Sequence, residues 1–476
     1  MEKTARSFMG MAIGITALFL AACAPSEPSN GAGGSCLDDG TCDTGPCSPE
    51  TDSEFCQRLG TDCDAVSGSD NCNVARSVAS CGSCTAPATC GGAGIPNRCG
   101  DGTSSAGLFM DGFFPLGVFI MYPPDMPTYV SRGFNTAWEI PDTDGEYTDR
   151  QWSDAAIAAG LKQIRRPINN NPNQDISTPR TSLIGWLHPD EPDANEPSQG
   201  DVNAIVNEYA AWKAADPDMD IYITFGGGDM LNPGTSGCNG PGDDGGFVTC
   251  YPQFISGTDI ILNDIYPVAG WMWDEGTRYD ITQVGLVLDK IRGYSPYSIQ
   301  WSDKPMMSMI EGSYFSEEFG PRGATEHEIR AEMWDAIIHG ARGLFFFSVV
   351  LDPVWSWDGM TPAAVTEVST QNATITALSN VLQDEINPVT LSATMSSPQL
   401  EAGWRDTPTG KYFFVLNTLG TTVNNATISL SGIGDVETSA TVYEEARSET
   451  ITATGVGTGN ITDTFTAFAI HIYVVN

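Results

Sequence analysis

Apolar residues in the middle of the chain come in short, nearly unbroken runs. Eight stand out: Gly117–Tyr122, Phe134–Ile140, Leu161–Arg166, Ser182–Leu187, Ile221–Phe225, Thr258–Asn263, Met306–Ile310 and Gly343–Ser348. Runs of this length without polar alternation predict strands buried on both faces. Between them the period changes. Val202, Ile205, Val206, Tyr209 and Trp212 fall on one helical face, with Asp201 expected as N-cap. Thr325 and Glu328 spell a capping box ahead of Ile329, Met333, Trp334, Ile337 and Ile338, and Gly340 and Gly343 stop that helix. Eight strands alternating with helices over residues 105–388 predict an α/β chain built on a (β/α)8 TIM barrel. A doubly wound open sheet is the rival, but no GxGxxG follows any of these strands.

From residue 389 to 476 the pattern turns to period two, with Thr, Val and Ser runs between Gly-rich turns. This predicts an antiparallel β-sandwich packed against the last barrel helices, with Phe465–Tyr473 as its closing core strand. Residues 226–252 are rich in Gly, Asp and Pro and read as a loop walling the cleft, with Cys238 and Cys250 expected to close a disulfide across it.

The N-terminal fifth has a different character. Ten of the thirteen Cys lie between Cys36 and Cys99. With few large apolar residues among them, residues 36–104 are expected to form a module held by about five disulfides. The segment around DNCNVARSVASCGSC resembles small Cys-rich modules appended to secreted proteins of soil and marine bacteria, which implies a spacer or a carbohydrate-contacting role. Lys3 and Arg6 precede an apolar run from Phe8 to Leu20, so residues 1–22 read as an export signal too short to span a bilayer permanently. Leu20-Ala21-Ala22-Cys23 resembles the bacterial lipobox, which implies lipidation of Cys23. The chain is then expected at the bacterial cell envelope, lipid-anchored to the membrane and facing periplasm or outside. Residues 23–35 read as a flexible tether.

Sixty acidic residues against 22 basic ones give a net charge of −38. With no basic cluster to offset it, nucleic acid is excluded as a partner. Four scattered His residues argue against a His-rich zinc site, and no metal or cofactor is expected. The absence of GxSxG and HExxH leaves serine and zinc hydrolysis without local support.

The stretch Ile184–Pro192, IGWLHPDEP, carries the candidate chemistry. An apolar strand ends abruptly in His188, Asp190 and Glu191, which a barrel presents at its C-terminal face. Glu191 follows the fourth predicted strand and Glu311 ends the seventh, across the mouth. Hydrolysis of a glycosidic bond needs two such carboxyl groups flanking it. The arrangement resembles the clan A glycoside hydrolases, and the resemblance covers about residues 110–385. It implies Glu191 as general acid/base and Glu311 as nucleophile of a retaining double displacement on a poly- or oligosaccharide. That family carries Asn where Asp190 stands here, which leaves Asp190 open as an alternative proton donor. On the same rim, Asp264, Tyr266, Glu139, Arg165 and Arg166 end strands and are candidates for substrate contacts or for ion pairs. Aromatic residues near the strand ends are candidate sugar-stacking platforms: Tyr122, Trp138, Trp186, Trp271, Trp273, Tyr314, Trp355 and Trp357. The competing function is a non-catalytic glycan-binding or adhesion lipoprotein.

Overall fold

The computed structural model describes residues 48–58, 63–72, 74–84, 89–90, 99–100, 112–175, 178–179, 181–193, 199–231, 247–270, 278–294, 302–316, 322–435 and 437–475. The chain divides into two compact units, Met1–Gly107 and Leu108–Asn476.

In the first unit, a helix over Asp52–Arg58 accompanies an antiparallel pair, Val66–Ser69 with Ala75–Val78. Phe55, Cys56 and Val78 are its buried apolar cluster among the described residues. Disulfides join Cys56 to Cys81 and Cys63 to Cys90, and Cys72 and Cys84 are also disulfide-bonded. Cross-links stand in for a core, as the Cys density implies. Cys23 and the tether lie outside the described residues.

In the second unit, all eight apolar runs form strands: β1 Leu116–Phe119, β2 Thr136–Trp138, β3 Lys162–Arg165, β4 Leu183–Leu187, β5 Asp220–Gly226, β6 Ile260–Asp264, β7 Met306–Glu311 and β8 Leu344–Phe347. They pair in parallel with their sequence neighbours, and β8 pairs with β1, so the barrel closes. The helices used below are α1 Gln199–Ala215, α2 Phe247–Ser256, α3 Gln283–Arg292 and α4 Glu326–Ile338. α4 begins with the expected capping box of Thr325 and Glu328. α1 starts two residues before Asp201, which therefore lies in its first turn and not at its N-cap. The stretch read as a loop carries helix at both ends: Gly227–Leu231 follows β5 directly, and α2 begins at Phe247 and runs past Pro252 to Ser256.

The barrel interior is filled by large rings set against glycines. Trp138 meets Tyr222 edge-on at 5.4 Å and packs on Phe345 at 4.4 Å. A Cβ on Gly117 would lie 2.2 Å from Phe345, and one on Gly185 would lie 2.2 Å from Tyr222. Those two glycines leave the space that the rings occupy. The outward faces of the strands join the helices in a second, larger core.

The sandwich has a four-stranded sheet and a five-stranded sheet. Ser392–Met395, Val423–Ser431, Thr458–Phe465 and Thr452–Gly455 form the first; Leu400–Thr407 (β9), Gly410–Asn417, Ile470–Val475, Ser439–Val442 and Arg447–Thr450 form the second. The expected closing strand is broken: Phe465 ends one strand, Phe468 is left-handed, and Ile470 starts the next. Tyr412, Phe414, Leu416 and Ile472 of the five-stranded sheet belong to the same core as the barrel helices, and Phe414 stacks on Trp334 of α4. The sandwich thus packs against the barrel as expected.

Candidate active site

Four carboxylates, from the ends of β2, β4 and β6, gather at the C-terminal mouth. Glu139 follows β2, Asp190 and Glu191 follow β4, and Asp264 ends β6. Their mutual influence shows in their acidity. Burial, with Asp190 also raising it, lifts the Glu139 carboxyl to about 7 against the pull of Arg166. Asp190 is exposed to solvent yet walled by protein deeply enough that desolvation lifts it to about 6, again opposed by Arg166. Asp264 is pushed well above the carboxylate range by burial and by Asp190. Tyr266 shares the site: its hydroxyl is driven up by burial and by Asp264, with Glu191 and Asp190 adding to the effect. The Arg166 guanidinium, half exposed, lies 4.0 Å from Glu139. Among the described residues, Arg166 is the cation that acts on both Glu139 and Asp190, and it does not offset their burial, which favours protonated carboxyls.

The backbone at the mouth is strained in the same places. Glu139 has φ 59° and Glu191 has φ 40°, with Ile120 after β1 at 48°. Left-handed residues with a Cβ cost about 1–3 kcal/mol each and persist where the surrounding structure enforces them. Several buried polar atoms here also lack a protein partner: Trp138 Nε1, the Tyr222 hydroxyl, Thr224 Oγ1, Glu139 Oε2 and Asp264 Oδ1. An unpaired buried polar group costs about 1–3 kcal/mol. Their concentration at and beneath one mouth suits a ligand that completes them.

Aromatic rings line the β1/β8 side. Tyr122 stacks on Trp357 at 5.3 Å and 6°, Trp355 meets Trp357 edge-on at 5.0 Å, and Tyr147 meets Tyr122 edge-on at 5.7 Å. All four are partly exposed, as is Tyr314. Such rings can stack on the C–H faces of a pyranose. Trp271, Trp273 and Cys238 lie outside the described residues, and Cys250 is partly buried within α2.

Other expected site residues have different places. Glu311 ends β7 but has no solvent exposure. Its Oε1 accepts the Val268 N–H at 2.7 Å and its Oε2 accepts the Ala269 N–H, so the turn over 267–270 closes on it. Burial lifts its carboxyl to about 7, and Glu332 of α4 stands beside it, itself pushed well above the usual range. Trp186 is fully buried on the outer face of β4 among Leu183, Trp212, Met219 and Ile221, where its Nε1 donates to Asp216. Trp138 is fully buried as well and is barrel floor. His188 is buried, with Nδ1 2.8 Å from Glu208 and Nε2 2.8 Å from the Gly257 carbonyl. It stacks on Trp212 and clamps α1 to the barrel, so it is not a sugar contact. Arg165 is also spent inside the fold, on Asp175 at 2.7 Å. Of the two arginines, only Arg166 reaches the mouth.

Asp193 is the residue that the sequence did not single out. Fully buried, it accepts the Tyr251 hydroxyl at 2.7 Å and the Gly226 N–H at 3.2 Å, which ties the loop after β4 to β5 and α2. The spacing DEPD held a third carboxylate in plain view, but no local pattern marks it as a brace.

No family model and no curated protein matches this chain. Among solved structures it is similar to Gan42B, a GH42 β-galactosidase, at 9% identity and TM-score 0.48, over 76% of this chain and 98% of that one. It is similar to AmyP in complex with maltose at 8% identity and TM-score 0.41, over 74% and 88%. A third is the glycoside hydrolase family 30 subfamily 8 xylanase Xyn30A from Clostridium acetobutylicum, at 12% and 0.40, over 76% and 95%. The roles of the mouth residues rest on the site's own geometry.

Proposed function

We propose that this chain hydrolyses O-glycosidic bonds of a poly- or oligosaccharide at the mouth of its barrel. The observation that carries the proposal is the convergence of Glu139, Asp190, Glu191 and Asp264 beside partly exposed aromatic rings, with acidities displaced upward for three of them. Breaking a glycosidic bond requires a proton for the leaving oxygen and a second carboxylate acting at the sugar. Carboxyls that hold protons near neutral pH suit the first task. Glu191, partly exposed and set on left-handed backbone after β4, is the acid/base in this reading. Asp190 beside it is the alternative donor.

Two groups compete for the second role. Glu311 holds it by its place at the end of β7, and its use requires the turn over 267–270 to release it. Asp264 ends β6 next to Asp190 and is partly exposed, so it needs no such movement, but acting at the sugar requires it to give up the proton that burial and Asp190 favour. The sealed state of Glu311 is the observation that favours Asp264. The export signal and Cys23 support placing this activity at the cell envelope, on a lipid anchor.

The test is a panel of polysaccharides and aryl glycosides assayed with the full chain, Glu191→Gln, Asp264→Asn and Glu311→Gln. Release of sugar by the wild type, with a loss of about 10²–10⁴-fold in Glu191→Gln, is expected. A wild type that binds glycans but releases none would replace this reading with a binding protein. Azide rescue of Asp264→Ala or Glu311→Ala, giving a glycosyl azide of inverted configuration, names the second carboxylate.

A further inference from the structure

Where α3, α4 and β9 meet, four titratable side chains converge away from the mouth. His339, at the end of α4, has Nε2 3.0 Å from Glu401 Oε2 and 3.7 Å from Asp335 Oδ1. Its Nδ1 lies 3.0 Å from Asp289 Oδ2. Barrel helices run back against their strands, so the C-terminal end of α4 lies toward the face opposite the mouth.

Three features set this cluster apart from an ordinary ion pair. First, Asp335 has no solvent exposure, and while its Oδ2 accepts the Gly285 N–H at 2.7 Å, its Oδ1 has no hydrogen-bond partner. That oxygen, facing His339 and Glu401, belongs to a set with a His339 nitrogen and a Glu401 oxygen in which the donor atoms all lie within 4.8 Å of one another. Second, the charges do not balance. Three carboxylates, Asp289, Asp335 and Glu401, face one imidazole. Among the described residues, two guanidinium groups reach this end of α4, and both are spent on backbone: Arg292 on the carbonyls of His339 and Gly340 at 2.7 and 3.1 Å, and Arg405 on that of Ile337 at 3.3 Å. Third, the backbone makes room for the cluster. A Cβ on Gly285 would lie 2.4 Å from the His339 ring and 2.9 Å from Asp335 Oδ2, so only glycine lets α3 approach.

We propose that His339 Nε2, Asp335 Oδ1 and Glu401 Oε2 form a divalent-cation site. Its outer shell is already built: Asp289 fixes the ring so that Nε2 is the ligand, and the Gly285 N–H holds the second Asp335 oxygen. One nitrogen with two carboxylates suits Zn²⁺ better than Ca²⁺ or Mg²⁺, which prefer all-oxygen shells. Tetrahedral zinc with bonds of about 2.0–2.2 Å places its donors roughly 3.3–3.5 Å apart. The separations of 3.0 and 3.7 Å straddle that spacing. Glu401, whose side chain is 30% exposed, leaves an entry path and room for water as fourth ligand. Bound metal would join α4 to the sandwich strand β9. The site has a structural role and is independent of the proposed glycosidase activity.

The experiment uses the full chain with its disulfides intact, stripped with EDTA and titrated with ZnCl₂, MnCl₂, CaCl₂ or MgCl₂. One equivalent of zinc per chain is expected by elemental analysis after desalting, together with a rise in Tm of several degrees. X-ray absorption at the zinc edge should show one imidazole and oxygen donors, with no sulfur. Glu401→Gln, the most exposed ligand, should lose both the zinc and the Tm rise while folding normally, and His339→Gln should do the same. Gly285→Ala should weaken binding by crowding the ring. A Tm unmoved by zinc, sulfur in the zinc shell, or stoichiometric zinc retained by both ligand variants would overturn the proposal. In the first case the cluster is an ion network around a protonated His339.

Discussion

Glu139→Gln should stabilise the barrel at pH 8 and leave it nearly unchanged at pH 4. In the folded chain the Glu139 carboxyl is raised from 4.5 to about 7 by burial, and its Oε2 has no partner. A carboxyl raised on folding contributes no penalty below pH 4.5. Above that, the unfolded chain ionises it freely while the folded chain resists, so stability falls as pH rises from about 4.5 to about 7 and levels off above. At about 1.4 kcal/mol per unit of displacement, the full penalty is about 3 kcal/mol. Glutamine keeps the shape without the charge. The attraction of Arg166 already opposes the displacement, so nothing further is subtracted for losing it. The expected gain at pH 8 is therefore about 3 kcal/mol. Urea unfolding followed by tryptophan fluorescence at pH 4, 6 and 8 reads it directly. A variant equally displaced from wild type at pH 4 and pH 8, or less stable at pH 8, would refute the reasoning. The pattern is that of a functional group kept at a cost in stability.

Two further substitutions separate platform from scaffold. Trp357→Ala should raise KM about fivefold, corresponding to about 1 kcal/mol of lost stacking, with kcat little altered and a smaller loss of stability than a fully buried tryptophan would give, because its ring is partly exposed, stacked on Tyr122 and met edge-on by Trp355 at the rim of the barrel core. Unchanged KM on every active substrate would remove that rim from the site. Trp186→Ala should instead cost about 3–5 kcal/mol in denaturant unfolding, because the ring is fully buried and bonded to Asp216. A change in KM at unaltered stability would show that its burial in the helix layer is wrong.

The strands were legible because parallel strands covered on both faces must be apolar throughout, and eight such runs recur between helical patterns. The same texture hides direction. In β4 all of Gly185, Trp186 and Leu187 are buried, so the sequence cannot say that Leu187 faces the barrel interior while Trp186 faces the helices. That is why Trp186 reads as a subsite and is not one. His188 escapes for a related reason: its partners, Glu208 and the Gly257 carbonyl, are 20 and 69 residues away. The burial of Glu311 depends on two amides from a turn more than forty residues earlier in the chain, which no local pattern encodes. By contrast, α2 was present in the sequence, since Phe247, Tyr251, Phe254 and Ile255 recur with helical spacing. The Gly- and Asp-rich stretch before it and Pro252 within it conceal the period.

The most direct measurement is the dependence of Glu191→Gln on the leaving group. Wild type and variant are compared on an unactivated polysaccharide and on dinitrophenyl glycosides of the same sugar, whose departing oxygen needs no proton. If Glu191 delivers that proton, the variant loses about 10²–10⁴-fold on the polysaccharide and far less on the activated glycoside. Equal losses on both substrates, or full activity on the polysaccharide, would contradict the assignment.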